Sequence, residues 1–259
     1  MVKKYIDISK FQGNVDFSKV KGEVDGVIIR AGYGQNNIDE KFARNISECN
    51  RLGIPCGVYW FSYAYTEEMA RKEAEYCLAA IKSYRVELPV CFDFEYDSVT
   101  YAQKNGVGIG KTLATALVHA FCGVIEKAGY YAMNYTNKDY LGKYFDKTTL
   151  NYDLGLAAWP TEPDFNNPPR KDVGIWQYSS KGSVPGINGN VDMDWAYKDY
   201  PAIIAAAGLN NLKKEDEPWW AEAQEWAKET GISDGERPTE PATRAEVWIM
   251  LQRLYKLGK

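Results

Sequence analysis

The chain has 259 residues, 45% hydrophobic and 25% charged, with a formal net charge of −4 and a single histidine. That length accommodates one large α/β barrel with a small appendage, or two ordinary domains, and the composition is that of a soluble globular protein. No apolar run reaches the roughly 18–20 residues that span a bilayer, and the negative charge argues against nucleic acid as a partner, because phosphate binding relies on clustered Lys and Arg.

The opening residues, Met1-Val2-Lys3-Lys4, run straight into strand-like sequence with no apolar h-region or small-residue cleavage site before it. Synthesis in the cytoplasm without a signal peptide is therefore expected, with any external substrate reached after release. Strand-like runs recur at 4–8, 26–31, 56–64, 90–96, 130–136, 153–159, 173–179 and 191–197. Helical periodicity fits 39–52, 66–83 and 111–128. Strands and helices in this rhythm predict a closed, TIM-like β/α barrel rather than an open sheet. Pro160, Pro163, Pro168 and Pro169 exclude a helix between the sixth and seventh strands, so the barrel is expected to be irregular.

Composition shifts after Tyr200. The barrel is assigned to 1–207, a polar linker to 208–217, and a small helix–loop–helix unit to 218–259. Trp219, Ala223 and Trp226 share a helix face there, and Gly231 suits a C-cap. Thr243 and Glu246 have the spacing of a capping box, ahead of an apolar face of Val247, Met250, Leu251 and Leu254. So small a unit buries little surface alone and should pack on something else.

Cys49, Cys56, Cys77, Cys91 and Cys122 include no C-x-x-C pair and read as buried thiols, not as disulfides or metal ligands. A single His119, within a helical stretch, cannot build the multi-histidine zinc site of an amidase or peptidase. Nor does its place suit the base of a Ser or Cys nucleophile. Carboxylates are what remains in quantity, and no cofactor or metal is expected.

Side chains alternate across a strand. In Val90-Cys91-Phe92-Asp93-Phe94-Glu95-Tyr96 this puts Asp93 and Glu95 on one face and Phe92 and Phe94 on the other. Asp7 lies opposite Ile6 and Ile8, and Asp192 and Asp194 lie opposite Val191, Met193 and Trp195. The apolar faces belong under the helices, so the acids point into the barrel or its mouth. Carboxylates there cost too much unless they are used or paired, and a structural ion-pair network is the competing reading. Catalytic groups in such barrels gather at strand C-terminal ends. Crowding among them would raise at least one pKa and supply a neutral acid near pH ~6–7.

Five motifs then occur in order across about 1–200: Asp7-Ile8-Ser9-x-x-Gln12-Gly13-x-Val15-Asp16-Phe17, Gly57-Val58-Tyr59-Trp60-Phe61, Asp93-x-Glu95, Trp176-Gln177-Tyr178-Ser179 and Gly189-Asn190-Val191-Asp192. Together they resemble glycoside hydrolase family 25, the Chalaropsis-type lysozymes of bacteria and phages. The resemblance implies an N-acetylmuramidase of the endolysin or autolysin kind. Such an enzyme cuts the β-1,4 bond between N-acetylmuramic acid and N-acetylglucosamine in peptidoglycan glycan strands. It implies Glu95 as general acid and Asp93 as the group that orients the acetamido substituent or stabilises developing positive charge. Asp7 and Asp192 are implied as the other acids of the cleft. The family commonly has Asn at the position of Asp194, which is placed here with the substrate-binding residues. Tyr33, Tyr59, Trp60, Tyr135 and Trp159 lie at strand ends, as sugar-stacking candidates or as core.

Residues i and i+2 on a strand are ~6.6 Å apart, between the ~5–5.5 Å of retaining and ~6.5–9.5 Å of inverting glycosidases. An Asp-x-Glu pair acting on a 2-acetamido sugar also resembles substrate-assisted chitinases, so a retaining, substrate-assisted route is the expectation. A chitinase-type hydrolase and a catalytically inactive wall-binding protein are the alternatives. The Asp7 and Asp192 motifs weigh against the first and the full acid set against the second.

Residues 218–254 resemble a single S-layer-homology motif in Trp220-Ala221, Trp226-Ala227, Gly231-Ile232-Ser233-Asp234-Gly235 and Thr243-Arg244-Ala245-Glu246. Such motifs usually come in threes, and one copy departs from that pattern. The resemblance implies contact with a secondary cell-wall polymer, or a homo-oligomer, through Trp219, Trp226 and Arg244; no membrane contact is expected. Carboxylate chemistry makes one prediction at this point. Lysis of cell walls, followed by turbidity, should survive prolonged EDTA treatment of the protein, and a loss that added zinc restored would overturn it.

Overall fold

The computed structural model describes residues 2–145, 151–212, 221–236 and 241–257. They fall into two compact units, Met1–Leu212 and Lys213–Lys259. The first runs β1 (Lys3–Ile8), α1 (Phe17–Val20), β2 (Gly26–Tyr33), β3 (Asn37–Ile38), α2 (Phe42–Leu52), β4 (Cys56–Phe61), α3 (Glu67–Ile81) and β5 (Val90–Asp93). It continues through α4 (Tyr96–Lys104), α5 (Lys111–Lys127), β6 (Ala132–Asn137), β7 (Asp153–Ala157), β8 (Val173–Gly182), β9 (Val191–Ala196) and α6 (Tyr200–Ala206).

Every strand and helix expected from the pattern is present, with shifted ends. The β3 hairpin and helices α1, α4 and α6 are additions. No helix occurs within 158–172, where the prolines lie. The strand expected over 90–96 stops at Asp93, because Glu95 already caps α4.

The strands close into a ring, in the order β1-β9-β8-β7-β6-β5-β4-β2 with β2 pairing back onto β1, while β3 hangs on β2 outside it. Pairs within the ring are parallel except at β9, which is antiparallel to both β8 and β1. The cause is chain length. Only residues 183–190 join β8 to β9, fewer than the dozen or so that a parallel crossover requires.

Alternation divides the ring into two apolar layers. Outward-facing Ile6, Ile8, Val27, Ile29, Val58, Phe92 and Phe94 pack in one core with residues of α2, α3 and α5. Each such side chain contributes roughly 1.5–3 kcal/mol by leaving water. Trp60 belongs to this layer and not to any sugar platform. It is fully buried, and its Nε1–H donates to Gly34 O at 3.1 Å. Tyr59 faces inward, so its neighbour must face out.

Inward-facing Tyr5, Ile28, Cys91, Met133 and Ile175 form the second layer, closed below by Tyr200 and Ile204 of α6 and by Leu209 and Leu212. Residues 208–212 are therefore part of the barrel, a correction to the linker expected over 208–217. Their polar anchor is Asn210, 2% exposed. Its side-chain amide donates to Val86 O (3.1 Å) and Leu88 O (3.0 Å), and its Oδ1 accepts from Tyr131 N–H at 2.7 Å. The rest of the expected linker, 213–217, lies outside the described residues, as does Trp219.

In the second unit, α7 (Ala221–Glu229) and α8 (Arg244–Leu257) are joined through Gly231 at φ 69°. The capping box is formed: Glu246 N–H donates to Thr243 Oγ1 (3.2 Å) and Thr243 N–H to Glu246 Oε2 (2.7 Å). Arg253 donates to the carbonyls of Gly231 and Ile232. Trp226, Val247, Leu251 and Leu254 are exposed, and so are Trp248 and Tyr255. No helix among the described residues is long and apolar enough to cross a membrane. All five cysteines are buried free thiols, and His119 is exposed on α5 with its ring 5.6 Å from Tyr152.

The Asn210 anchor generates a prediction. Asn210→Ala leaves buried carbonyls and an N–H without partners, and it should destabilise the protein by roughly 1–3 kcal/mol in urea denaturation. A midpoint equal to wild type would remove the 208–212 segment from the barrel.

Candidate active site

Asp7 lies next to last in β1 and faces Asp192, the second residue of β9, across the antiparallel register. Because β9 runs against its neighbours, its beginning lies level with the ends of the parallel strands. Asp192 thus reaches the mouth from a strand start, not from the strand end that the sequence pattern suggested. Asp194 sits deeper, level with Tyr5 and Gln177. The loop after β1 is tied to the same place. Ser9 N–H donates to Gln12 Oε1 (2.9 Å), and Gln12 Nε2 donates to Asn190 O (3.3 Å), just before β9.

Asp93 is the last residue of β5. Glu95 stands beyond the strand at the N-cap of α4, its N–H donating to Ser98 Oγ at 3.0 Å. The regular two-residue strand repeat therefore does not set the separation of these two acids. Asp7, Asp93, Glu95, Asp192 and Asp194 all line one cavity of about 260 Å³.

Tyr59, Tyr135 and Trp159 line it too, so three of the five aromatic candidates lie at the acids. Tyr59 and Tyr135 rise from the wall, and Trp159 follows β7 at the rim, 60% exposed. Tyr33 lines a neighbouring cavity instead. Gln177 holds the arrangement together: its Nε2 donates to Asp7 Oδ2 at 2.7 Å and its Oε1 accepts from Trp159 Nε1 at 3.0 Å. Arg30 also lines the cavity and is missing from the sequence-derived site. Its guanidinium is engaged by Asp39 at 2.7 Å and lies 5.0 Å from the Phe11 ring. Strand parity was a usable signal for both residues, since Arg30 follows inward Ile28 and Gln177 follows inward Ile175 by two positions. Among the described residues no group of three or more His, Cys, Asp or Glu is disposed to hold a metal ion.

The model of the family described as Glycosyl hydrolases family 25 matches residues 6–187. The chain belongs to this family. The match ends before Asp192 and Asp194, which join the site through β9. An autolytic lysozyme from Clostridium acetobutylicum is 26% identical over 195 residues, covering 74% of this chain and 55% of its own length. The modular autolysin LytC from Streptococcus pneumoniae is 32% identical with a TM-score of 0.65, over 76% of this chain and 47% of that one. The bacterial lysozyme from Streptomyces coelicolor shares the fold at a TM-score of 0.64 and 22% identity, over 81% of this chain and 98% of that one. The chain thus spans about half the length of the first two relatives.

In this family 25 barrel none of the five cavity acids forms an ion pair among the described residues, which disfavours a structural salt-bridge network. Burial is the main force on their protonation, and mutual repulsion adds to it. Burial and then Asp192 raise Asp194 to about 8. Burial, then Asp192 and Asp97, raise Glu95 to about 7. Burial and the repulsion of Glu95 hold Asp93 well above the carboxylate range, against the pull of Arg30. Burial, Asp194 and Asp192 do the same to Asp7, which the Gln177 hydrogen bond opposes. Asp192 is raised by burial, with contact to Asp7 opposing. One oxygen of Asp93 and one of Asp194 are buried without a hydrogen-bond partner among the described residues. The arrangement provides proton donors near neutral pH, which general acid chemistry needs.

Asp194 offers a test of this electrostatic account. Its folded pKa of about 8 exceeds an unfolded value of ~3.9. Proton binding therefore favours the fold fully below the unfolded value, and that contribution is lost as pH rises through about 8. Asp194→Asn carries no charge to bury. It should raise the melting temperature by an amount that grows between pH ~4 and ~8. A gain of equal size at both ends of the range would assign the effect to packing.

Proposed function

We propose that the chain is a lysozyme of the N-acetylmuramidase kind, hydrolysing the β-1,4 bond between N-acetylmuramic acid and N-acetylglucosamine in peptidoglycan. The observation that carries this reading is the Asp93–Glu95 pair at the mouth of a family 25 barrel, with Glu95 protonated up to about pH 7. Relatives named as an autolytic lysozyme and as an autolysin solved with a synthetic peptidoglycan ligand support the substrate class.

The proposed route is retaining and substrate-assisted. The acetamido oxygen of the N-acetylmuramic residue attacks its own C1 as the bond from C1 to the glycosidic oxygen breaks. Glu95 passes its proton to that leaving oxygen. Asp93, buried beside it with one oxygen unpartnered among the described residues, orients the acetamido group and balances the positive charge of the cyclic intermediate. Water then adds to C1 on the original face and returns a proton to Glu95, and the ring reopens. Asp7 and Asp192 supply negative field around C1, with Asp7 held in place by Gln177. Trp159, Tyr59 and Tyr135 offer ring faces for the sugars.

Such a substrate supports a site of action in the cell wall. In the second unit, exposed Trp226 and Arg244 support contact with a wall polymer or with further copies of the chain.

Glu95→Gln retains shape without the proton, so wall lysis should fall by roughly 10²–10⁴-fold while the circular dichroism spectrum is unchanged. Wild-type rates should decline as pH rises past about 7, where Glu95 ionises. New reducing ends should be N-acetylmuramic acid. A Gln variant with near wild-type turnover, or N-acetylglucosamine reducing ends, would overturn the assignment.

A further inference from the structure

The chain leaving β7 is fastened to β8 by three hydrogen bonds. Ala158 N–H donates to Gln177 O (3.0 Å), and Trp176 Nε1–H donates from the outer face to Ala158 O (2.7 Å). On the inner face Trp159 Nε1–H donates to Gln177 Oε1 (3.0 Å), so the indole is held although its ring is largely exposed. Gln177 is itself buried, and its Nε2 donates onward to Asp7 Oδ2 at 2.7 Å.

The chemistry of these two contacts fixes the amide. A carboxamide accepts at one end and donates at the other, whereas an indole N–H only donates. Turned over, Gln177 would set N–H against N–H at Trp159 and leave a buried donor unpaired. With the amide locked, Asp7 Oδ2 always meets a donor and cannot carry a proton of its own.

Asp192 faces Asp7 across the antiparallel register and is in side-chain hydrogen-bonding contact with it. Two carboxyl groups in contact hold a proton between them, since two bare carboxylates repel. Because Oδ2 of Asp7 is taken, that proton belongs on its Oδ1, donated to Asp192. Burial and the neighbouring acids favour the protonated form of Asp7, while the contact with Asp7 opposes protonation of Asp192. The other titratable groups turned toward Asp7 are Asp194 of β9, Asp93 of β5, Tyr59 of β4 and Tyr135 of β6. Arg30 of β2 lines the same cavity, engaged by Asp39.

We propose that Gln177 is a positioning residue which, oriented by the Trp159 N–H, places the shared proton on Asp7 and keeps Asp192 negatively charged beside Glu95. After burial, Asp192 is the strongest influence holding the proton on Glu95. The lock therefore reaches the proton donor through Asp192. The proposal rests on the general-acid reading of Glu95 for its effect on cleavage, and its test reads protonation without substrate.

The full chain, with isotope-labelled Asp and Glu carboxyl carbons, is titrated by NMR as wild type, Trp159→Phe, Gln177→Met and the double variant. Trp159→Phe keeps a ring at the rim but removes the N–H, so the amide is free to turn its oxygen toward Asp7. Asp7 then donates from Oδ2 to Gln177, and Asp192 loses its donor. The Asp192 midpoint should rise, and the Glu95 midpoint, about 7 in wild type, should fall by roughly 0.5–1 unit. The alkaline limb of kcat/KM for wall lysis should move down with it. In the Gln177→Met background, where no amide is left to turn, Trp159→Phe should move neither midpoint further. Opposite shifts of Asp192 and Glu95 in Trp159→Phe uphold the lock even where the wild-type chain cuts nothing. Midpoints equal to wild type in a folded Trp159→Phe overturn it and leave the general acid intact. A fall at Glu95 without a rise at Asp192, or one of equal size in the Gln177→Met background, overturns it in favour of a direct effect of the rim ring.

Discussion

β9 enters the barrel against the direction of the strands on either side, and the chemistry of the mouth depends on that reversal. A parallel β9 would have its beginning at the opposite end of the barrel, with Asp192 far from Asp7. Reversed, it sets Asp192 directly across from Asp7 and sends Asp194 down beside Gln177. Five carboxyl groups then share one small cavity without a salt bridge among the described residues. They cannot all be charged, because each ionisation in a poorly hydrated space raises the cost of the next. Protons held by the set are the resource that a general acid needs.

What keeps the acids at the mouth is the apolar layer beneath them. Tyr5, Cys91, Met133 and Ile175 fill the interior below Asp7, Asp93, Tyr135 and Gln177, and α6 with the 208–212 segment closes the base. A ligand that reaches the acids therefore has to lie across the opening. The arms that meet it are polar groups already fixed by hydrogen bonds, as Trp159 is by Gln177 and Arg30 by Asp39. Orientation that is set before the substrate arrives is not charged against the reaction barrier.

The same economy extends past the acid cavity along α4. Glu95 begins that helix, and its first turns carry Asp97 and Tyr101 into the neighbouring cavity, so one short element spans both. Asp97 also contributes to the raised pKa of Glu95.

Much of this was legible in the residues alone, because period-two alternation is a local rule that needs no tertiary information. It placed Asp7, Asp93, Asp192 and Asp194 opposite apolar neighbours, while recurring strand-like runs marked all eight strands of the ring. Applied evenly, it would also have turned Trp60 outward once Tyr59 was turned in, and would have picked out Arg30 and Gln177 as inward polar groups. Tertiary structure decided the rest. Strand direction at β9 follows from how far 183–190 can reach, a property of connection length and not of side-chain pattern. Glu95 left the strand because backbone geometry at the cap of α4 overrode the alternation that had carried as far as Asp93. The 208–212 segment reads as a polar linker because Asn210 and Asn211 are polar, yet Asn210 is buried. Its amide satisfies backbone groups of β5 and β6 approaches that only the closed barrel brings within reach.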